Sequence, residues 1–356
     1  MKPTLQTIAD AVGVSRSTVS NAYGRPDQLS PELRERIFAA ARELGYSGPN
    51  PTARSLRRGR AGAIGVLFTP ALSYAFTDPY AVQYLRGLAE VAERHETGLL
   101  LVPLAADPEG ALSAVQNAAV DGFCFYCVPE WYRAMAAAQA RGLPVVSSEQ
   151  PGESWPDAYF VGVDEVAATR VAGEHIVHLG HRRIAVIGDY LSTDRATRLL
   201  SVPAPEDLPS YVSRERLRGY RDAFRAGGLE WTEIVTVNAH GNSREEGAAA
   251  AAYALDRAPR PTAVVALTDI LALGVLDAVA ARGLQPGRDV SVVGFDDIPD
   301  ADGAHLTTVR QPAFERGRIA GALLLEPPTD PAGRHVVLPT ELIVRASTGP
   351  APTRGI

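Results

Sequence analysis

The chain of 356 residues has few of the residues that several common chemistries require. It contains a single lysine, Lys2, which excludes P-loop, Schiff-base and lysine-base chemistry from the remainder of the chain. No hydrophobic stretch approaches the length of a membrane span, and Met1 to Pro3 lead directly into an amphipathic segment rather than a secretory signal. We therefore expect a cytoplasmic protein without membrane contact, long enough to bury a large core.

Cysteine and histidine are also scarce, and their spacing does not suit a metal or redox site. Cys124 and Cys127 fall in an apolar run that predicts a strand, in which residues three apart face opposite sides. His175 and His178 have helical spacing, but the helix ends before His181 and no further ligand follows at a suitable distance. No nucleophile and base stand at credible spacing either. We therefore predict structural roles for these residues and expect no metal, cofactor or enzymatic activity.

The first 21 residues predict two helices joined by a tight turn. Ile8, Ala9 and Val12 recur at helical spacing, Gly13 provides the conformational freedom for the turn, and Ser15 is a good N-cap. This pattern is typical of a helix-turn-helix, whose second helix enters the major groove of DNA. The alternative is an ordinary helical hairpin. The residues that face outward at the start of the second helix are Arg16, Ser17, Ser20 and Asn21.

A third helix and an arginine-rich segment follow. Ser30 and Pro31 provide the N-cap and first position of the helix, and Gly45 ends it. Residues 49–60 carry four arginines and one isolated leucine, Leu56. One interpretation is a charged linker. The other is a segment that folds on DNA, with Leu56 wedged between base steps of the minor groove and the arginines on phosphates.

The distribution of charge distinguishes these interpretations. Residues 1–60 hold ten cationic and five anionic side chains, for a net charge of +5. Since the whole chain carries −6, residues 61–356 carry −11. A basic amino-terminal part on an acidic body favours DNA contact confined to that part, because neutralised phosphates supply most non-specific affinity.

The remainder of the chain predicts an α/β fold, because short apolar runs alternate with Ala-rich helical stretches. This alternation is typical of parallel sheets covered by helices on both faces, and its spacing suggests two such units. We predict no regular structure for Arg195–Ser213, which either shapes the mouth of a cleft or is a mobile insertion. The predicted strands are 63–68, 98–103, 122–128, 144–148, 184–187, 234–237, 262–267 and 290–295, and helices include 80–95, 169–179, 216–226 and 272–282.

Motifs along nearly the whole chain resemble one family, the LacI/GalR family of bacterial transcriptional regulators. In the amino-terminal part these are Ile8-Ala9 to Val14-Ser15, Thr18-Val19-Ser20, Leu44-Gly45-Tyr46, Pro49-Asn50 and Ala53-Arg54-Ser55-Leu56. In the body they are His181 to Ile184, Asp289 to Asp297, Leu306 to Val309 and Leu338 to Leu342.

The resemblance implies an all-α helix-turn-helix domain followed by a bilobed, periplasmic-binding-protein-like core of two parallel-sheet, Rossmann-like lobes. We place the helix-turn-helix domain at residues 1–47, a hinge at 48–60, the core at 61–346 and a tail at 347–356. Within the core, lobe 1 is expected at about 61–163 and 296–325, and lobe 2 at about 164–295 and 326–346.

The resemblance also implies a repressor that binds a near-palindromic operator as a homodimer, or further assembled as a tetramer. A small-molecule effector in the cleft between the lobes would control the affinity for DNA. A carbohydrate is the first choice for this effector, and a nucleoside or purine the second. The alternative is a non-enzymatic sugar- or nucleoside-binding protein without operator function, which the basic amino-terminal part disfavours.

The helix-turn-helix pattern and the family resemblance together predict the residues that contact DNA. They are Thr4, Ser15, Arg16, Ser17, Thr18, Ser20, Asn21, Asn50, Ala53, Arg54, Leu56 and Arg57.

Two residues are the strongest candidates for effector binding. Asp296 follows the carboxyl end of a predicted strand, where open α/β sheets bind ligands, and an ionised carboxylate can accept two sugar hydroxyls. The family resemblance implies an effector contact at this aspartate and another at Arg216. The five donors of Arg216 suit polyhydroxylated or anionic effectors.

Five further residues are candidates for the same cleft. Glu149 follows a predicted strand where the family usually has aspartate, and Asp269 lies at another strand end; for both, a structural ion pair is an equal alternative. Phe76, Asp78 and Tyr80 follow the first strand of the body, where aromatic rings could stack on a sugar or nucleoside, although large aromatic residues more often belong to the core.

Overall fold

In the described part of the amino-terminal unit, residues 1–62, three α-helices surround a small apolar core. The computed structural model describes residues 3–49, 59–68, 72–103, 108–126, 132–150, 155, 157–194, 196–208 and 210–353. Its first three helices are Leu5–Val12 (α1), Arg16–Gly24 (α2) and Pro31–Glu43 (α3), with a 3-10 turn at Pro26–Gln28. The predicted positions of these helices are confirmed. The residues buried between them are Leu5, Ile8, Ala9, Val19, Ala22, Ile37 and Ala41.

Local signals in the sequence set the ends of these helices. Gly13 adopts a left-handed conformation with φ 75°, which lets the chain turn sharply between α1 and α2. Ser15 and Ser30 cap α2 and α3, each accepting a backbone N–H three residues ahead. Gly45, with φ 69°, follows the end of α3 as predicted.

The second unit, residues 63–356, contains two parallel sheets, which define lobe 1 and lobe 2. The strands of the described residues, numbered β1 to β13, are Ala63–Leu67, Gly98–Val102, Gly122–Phe125, Val145–Ser147, Tyr159–Val163, Ile184–Asp189, Arg198–Leu200, Val235–Ala239, Ala263–Ala266, Ser291–Val293, Thr308–Arg310, His335–Leu338 and Glu341–Ile343. Among them, lobe 1 has six strands, all parallel, in the order β12-β5-β4-β3-β1-β2. Lobe 2 has five, in the order β10-β9-β6-β8-β7, and of these the edge strand β7 is antiparallel to its neighbour.

Helices cover the sheets, as the alternation of the sequence predicts. In lobe 1, α13 (Ala313–Leu325) packs against α5 (Pro79–Arg94). In lobe 2 the pairs are α8 (Glu165–His178) with α9 (Tyr211–Ala226) and α10 (Arg244–Leu255) with α11 (Asp269–Ala281). The continuous apolar runs of the central strands are buried because helices lie on both of their faces. The helices of this unit, α4 to α13, are Tyr74–Thr77, Pro79–Arg94, Pro108–Asn117, Tyr132–Ala140, Glu165–His178, Tyr211–Ala226, Arg244–Leu255, Asp269–Ala281, Pro299–Gly303 and Ala313–Leu325.

The chain passes between the lobes later than the sequence indicates. Strands β11 and β13 form a separate antiparallel pair, and bridges join Thr307 to Val293 and Arg310 to Asp296, so lobe 2 continues to about residue 310. Strand β12 lies beside β5 in the sheet of lobe 1. The predicted assignments of 296–310 to lobe 1 and of 326–338 to lobe 2 are therefore wrong. Short strands with alternating burial give no long apolar run by which to place them.

Two other segments are more ordered than predicted. The segment 195–213 contains β7, which pairs with β8, and a 3-10 turn at Pro205–Asp207, so it is not a structureless loop. The start of the predicted tail is attached to lobe 2. There the Ser347 hydroxyl donates to Val292 O at 2.6 Å, and the N–H of Ala351 donates to Leu179 O.

Candidate functional site

Helix α2 presents a polar outer face at its amino-terminal end. Val19 and Ala22 point into the core, which leaves the opposite side of the helix to solvent. Hydroxyl, amide and guanidinium groups on such a face match the donors and acceptors of base edges in the major groove. Five of the predicted DNA-contacting side chains are fully or partly exposed on it: Arg16, Ser17, Thr18, Ser20 and Asn21.

Two other predicted contacts are also helix caps. Ser15 Oγ accepts the N–H of Thr18 at 3.0 Å and lies 2.7 Å from Ser17 Oγ. Thr4 Oγ1 accepts the N–H of Thr7 at 3.3 Å, within a capping box. Both cap residues are exposed, so each holds the start of a helix at the surface, where the helix dipole attracts phosphate.

The predicted contacts of the arginine-rich segment, Asn50, Ala53, Arg54, Leu56 and Arg57, lie outside the described residues. Their roles stay predictions.

Arg216 is the centre of a buried charged cluster in lobe 2. Its Nε donates to Glu165 Oε2 at 2.8 Å, and its terminal nitrogens reach the carbonyl oxygen of Leu267 and, at 3.8 Å, Asp296 Oδ1. The guanidinium lies 3.7 Å from the centre of the Phe295 ring. Only 5% of Arg216 is exposed, and the nearby carboxylates and the ring offset the cost of burying its charge.

Asp296 lies at the carboxyl end of the β10 segment in an unusual conformation. Its φ of 128° is rare for a residue with a side chain, and Asp297 follows with φ 55°. Asp296 Oδ1 accepts a hydrogen bond of 2.6 Å from Gln311 Nε2. Burial raises the pKa of Asp296 well above its usual range, although the charge of Arg216 opposes this change.

Hydrogen bonds continue from Asp296 into lobe 1. Gln311 Oε1 accepts from the Tyr80 hydroxyl at 2.9 Å, and that hydroxyl accepts from Arg316 at 3.0 Å. Arg316 also donates to the carbonyl oxygens of Ser148 at 2.7 Å and of Val161 at 3.1 Å. The network therefore joins predicted site residues of both lobes.

A second contact between the lobes involves α4. The Tyr74 hydroxyl accepts from Asn242 Nδ2 of lobe 2 at 3.0 Å and is also bonded to the carboxylate of Asp78. Asp78 caps α5 by accepting the N–H of Tyr80 at 3.0 Å. Phe76 of α4 is 66% exposed, and its stacking on an effector stays a prediction.

Glu149 lies near this cluster, after β4. Burial raises the pKa of Glu149 to about 7, although the charges of Arg214 and Arg316 oppose this change. A cavity of about 270 Å³ is lined by residues of both lobes, including Gln150, Glu165, Tyr211, Glu215 and Arg218, but not by Glu149. The Tyr211 hydroxyl bonds to the backbone of Gln150, which gives a third contact between the lobes.

Asp269 is fully buried and supports the turn that bears Asp296. Its Oδ2 accepts the N–H of Ile298 at 2.9 Å, and its Oδ1 accepts the Thr308 hydroxyl at 2.6 Å. Asp297, next to Asp296, is held by Arg310 and Arg345. These contacts give Asp269 a structural role; effector contact at this residue is untested.

Comparison with known proteins matches both parts of the chain. A family model for bacterial regulatory proteins of the lacI family matches residues 4–50, and one for a periplasmic binding protein-like domain matches residues 174–348. An HTH-type transcriptional regulator of Mycolicibacterium smegmatis is 40% identical over 356 residues, covering 98% of this chain and 97% of the relative. The regulator IpsA of Corynebacterium glutamicum is 39% identical over 331 residues, covering 91% and 90%.

The chain belongs to the LacI family. It is a DNA-binding transcriptional regulator.

Solved structures of LacI-family regulators have the same fold. A LacI-family transcriptional regulator of Corynebacterium glutamicum has a TM-score of 0.74 at 33% identity, covering 98% of this chain and 99% of that one. A complex of the regulator CelR with cellobiose has a TM-score of 0.67 at 27% identity, covering 97% and 99%. The lac repressor dimer bound to operator and the anti-inducer ONPF has a TM-score of 0.76 at 25% identity, covering 98% and 99%.

Three residues of this LacI-family site are absent from the sequence-based set. Glu165 and Gln311 each follow shortly after a strand end, and that position is the signal that could have identified them. Arg316 is only 2% exposed, but Glu315 and Arg318 are also charged residues of α13, so nothing local distinguishes Arg316 from a surface arginine.

The other polar clusters of this regulator are structural where they are described. Cys124 is buried with its Sγ 2.7 Å from the Tyr84 hydroxyl, and burial raises the pKa of its thiol to about 11; Cys127 lies outside the described residues. His181 Nε2 donates to Gly349 O at 3.0 Å. The described residues include no cluster of ligands suited to a metal ion. None of the described helices has the length and apolar character that crossing a bilayer requires.

Proposed function

We propose that the chain is a repressor that binds a near-palindromic operator as a homodimer, under the control of a sugar bound between the lobes. The observation that carries this proposal is the network from Arg216 and Asp296 through Gln311 to Tyr80 and Arg316, because a ligand there would contact both lobes. The lac repressor dimer bound to operator and the cellobiose complex of CelR support the same arrangement.

On the DNA side, we propose that each protomer of the dimer reads the major groove of one half-site through Arg16, Ser17 and Asn21. Residues 48–60 would form the hinge, with Leu56 inserted at the centre of the operator and arginines on phosphates. Thr4 and the caps at the helix starts would position the domain on the backbone without reading sequence. We propose that all of this takes place in the cytoplasm, on chromosomal DNA.

The proposed control depends on an effector that binds two arrangements of the lobes with different affinities. An effector that binds one arrangement more tightly shifts the population toward it, and DNA affinity changes by the same coupling free energy. Residues from both lobes must therefore contact the effector, and we propose Asp78, Tyr80, Glu149, Arg216 and Asp296 for this role, with Phe76 and Asp269 near them. We propose no catalytic activity for this site.

Selection of genomic fragments by the purified full-length chain at near-physiological salt tests the regulator. We expect recovery of a short near-palindrome with a flexible central base step, whose neighbouring genes would then indicate the effector. If fragments are recovered without a shared site, the selection is repeated in the presence of sugars and nucleosides. The same result in their presence would contradict the proposal. The mass of the complex with the recovered operator gives the number of chains bound.

A further inference from the structure

We infer that Tyr74 and Asn242 form a latch between the lobes, which favours the lobe arrangement of this structure and thereby sets the operator affinity of the ligand-free chain. The inference rests on the proposed function, because it assigns part of the proposed control to two residues outside the proposed effector contacts. The latch is the chain of hydrogen bonds that joins Thr268 and Asn242 of lobe 2 to Tyr74 and Asp78 of lobe 1.

The lobe 2 end of the latch determines which atom of Asn242 faces lobe 1. Thr268 caps α11, and because its Oγ1 accepts the N–H of Leu271 at 3.3 Å, its own O–H is available to donate. This hydroxyl donates to Asn242 Oδ1 at 2.6 Å. The amide nitrogen of Asn242 is therefore directed to lobe 1, where it donates to the Tyr74 hydroxyl at 3.0 Å.

The lobe 1 end of the latch continues the bonds in the same direction. The Tyr74 oxygen accepts from Asn242, so its O–H donates to the carboxyl group of Asp78. Asp78 also accepts the N–H of Tyr80 as the N-cap of α5, which attaches the latch to the first turn of that helix. Hydrogen bonds aligned in one direction strengthen one another where water is partly excluded.

The latch is attached at both ends to residues that support the Arg216 cluster. In lobe 2, Thr268 directly precedes Asp269, whose carboxyl group holds the turn that bears Asp296. In lobe 1, α5 carries Tyr80, whose hydroxyl belongs to the hydrogen-bond network of that cluster. Because both sets of bonds join the lobes, separation of the lobes has to break both. The latch therefore stabilises the joined arrangement without a ligand.

One hydrogen bond is enough to change the balance between two lobe arrangements. Its net contribution corresponds to about fivefold in an equilibrium constant. Loss of the latch should lower the ratio of joined to separated lobes by about that factor. A ligand that contacts both lobes favours the joined arrangement, as the latch does. Loss of the latch should therefore change operator affinity in the sense opposite to the ligand, whether the ligand induces or co-represses.

Tyr74→Phe removes the hydroxyl of the latch and keeps the ring. Amide hydrogen exchange of the full-length chain, measured by mass spectrometry, needs neither DNA nor ligand. We expect exchange on the order of fivefold faster both in residues 72–82 of lobe 1 and in residues 240–246 of lobe 2. Tyr159→Phe, at the amino end of β5, is the matched control and should leave both segments unchanged. Faster exchange confined to residues 72–82 would overturn the inference, because it would show only a local packing role for Tyr74.

Asn242→Ala tests whether the two residues act through the same bond. By itself this substitution should accelerate exchange in both segments, as Tyr74→Phe does. Combined with Tyr74→Phe, it should add less than about twofold, because the bond is already absent. Two effects that multiply in the double variant would show that the residues act independently, and the latch would be refuted.

Anisotropy of the operator recovered by selection measures the consequence for DNA binding. We expect the ligand-free affinity of Tyr74→Phe to differ from that of the parent on the order of fivefold, and that of Tyr159→Phe to be unchanged. D-Ribose, D-glucose and cellobiose, each at a few millimolar, are the probes. Where one of them changes the operator affinity of the parent, Tyr74→Phe should differ in the opposite sense. A difference in the same sense as the sugar would overturn the inference.

The outcomes separate this inference from the regulator proposal. An operator that Tyr74→Phe and the parent bind equally overturns the inference, and the chain is then a regulator whose control does not depend on the latch. Failure to recover any operator contradicts the proposed function and, with it, a role of the latch in DNA affinity. Hydrogen exchange still decides in that case whether Tyr74 and Asn242 hold the lobes together.

Discussion

Asp296 and Asp297 combine two unfavourable features, a low exposure and a backbone conformation that glycine adopts more readily. Such strain persists only where surrounding contacts enforce it, and it is concentrated at functional sites. Here Arg345 bonds to Asp297 Oδ1 at 2.8 Å and Arg310 to its Oδ2 at 2.7 Å. The two ion pairs hold the backbone that directs the Asp296 carboxylate toward Arg216.

Asp297→Asn tests this function of the ion pairs. Asparagine tolerates a positive φ, so the substitution removes charge without adding backbone strain. We expect a loss of about 2 kcal/mol in the free energy of unfolding, because Arg345 is left partly buried without its main partner. Urea denaturation measures the change. Asp302→Asn is the control: this exposed residue contacts Arg345 at 3.3 Å, and a comparable loss there would contradict the assignment.

The raised pKa of Glu149 predicts a dependence of stability on pH. With a pKa of about 7 in the folded chain and 4.5 in the unfolded chain, the folded state holds the proton more tightly between these values. Stability therefore falls as pH rises from 4.5 to 7, by about 3 kcal/mol for this group. This contribution is absent in Glu149→Gln. The free energy of unfolding of the variant, relative to that of the parent, should therefore increase from pH 5 to pH 8. Parallel curves of unfolding free energy against pH would contradict the prediction.

Helices α5 and α13 approach each other closely through two glycines. A Cβ at Gly87 would lie 1.9 Å from Phe314 O, and a Cβ at Gly317 would lie 1.9 Å from Tyr84 O. The backbones are in contact at this crossing, so no larger side chain fits unless the helices separate. The same helices carry Tyr80 and Arg316, and their close packing brings these two site residues within hydrogen-bond distance.

Gly87→Ala is therefore expected to lower the free energy of unfolding by about 1–3 kcal/mol, because the helices must move apart. The clash outweighs the better helix propensity of alanine. Gly303→Ala in α12 is the matched control, since its Cβ would meet nothing within 4 Å and should leave stability unchanged or improved. Thermal or urea unfolding gives both values. Equal stability of Gly87→Ala and the parent would show that the crossing can relax without cost.

At the scale of the whole molecule, we propose that DNA and effector bind to different units of the chain. We expect Leu56→Ala, in the segment outside the described residues, to weaken operator binding at least about tenfold while sugar binding is retained. Asp296→Ala should abolish the sugar response and retain operator binding. Operator anisotropy and the thermal midpoint with and without sugar measure the two activities. Loss of both activities in either variant would contradict this division.

Much of the fold could be predicted from the sequence. Eight strands of the two main sheets and the helices between them follow from apolar runs and helical periodicity. The five strands that the sequence analysis missed (β5, β7, β11, β12 and β13) are short or lie at edges and crossings. Because long-range pairing rather than local pattern defines such strands, the crossings between lobes were placed about 15 residues too early.

The sequence by itself determined the helix-turn-helix, its caps and turn, the separation of basic and acidic parts, and the family. Each of these depends on residues a few positions apart or on composition. Only the tertiary structure decided how the site is assembled. Tyr80 and Gln311 are 231 positions apart, and Arg216 and Glu165 are 51 apart, so no local pattern pairs them. Burial also decided the state of the charged groups: it surrounded Arg216 and Arg316 with acceptors from the protein and raised the pKa of Asp296 and of Glu149.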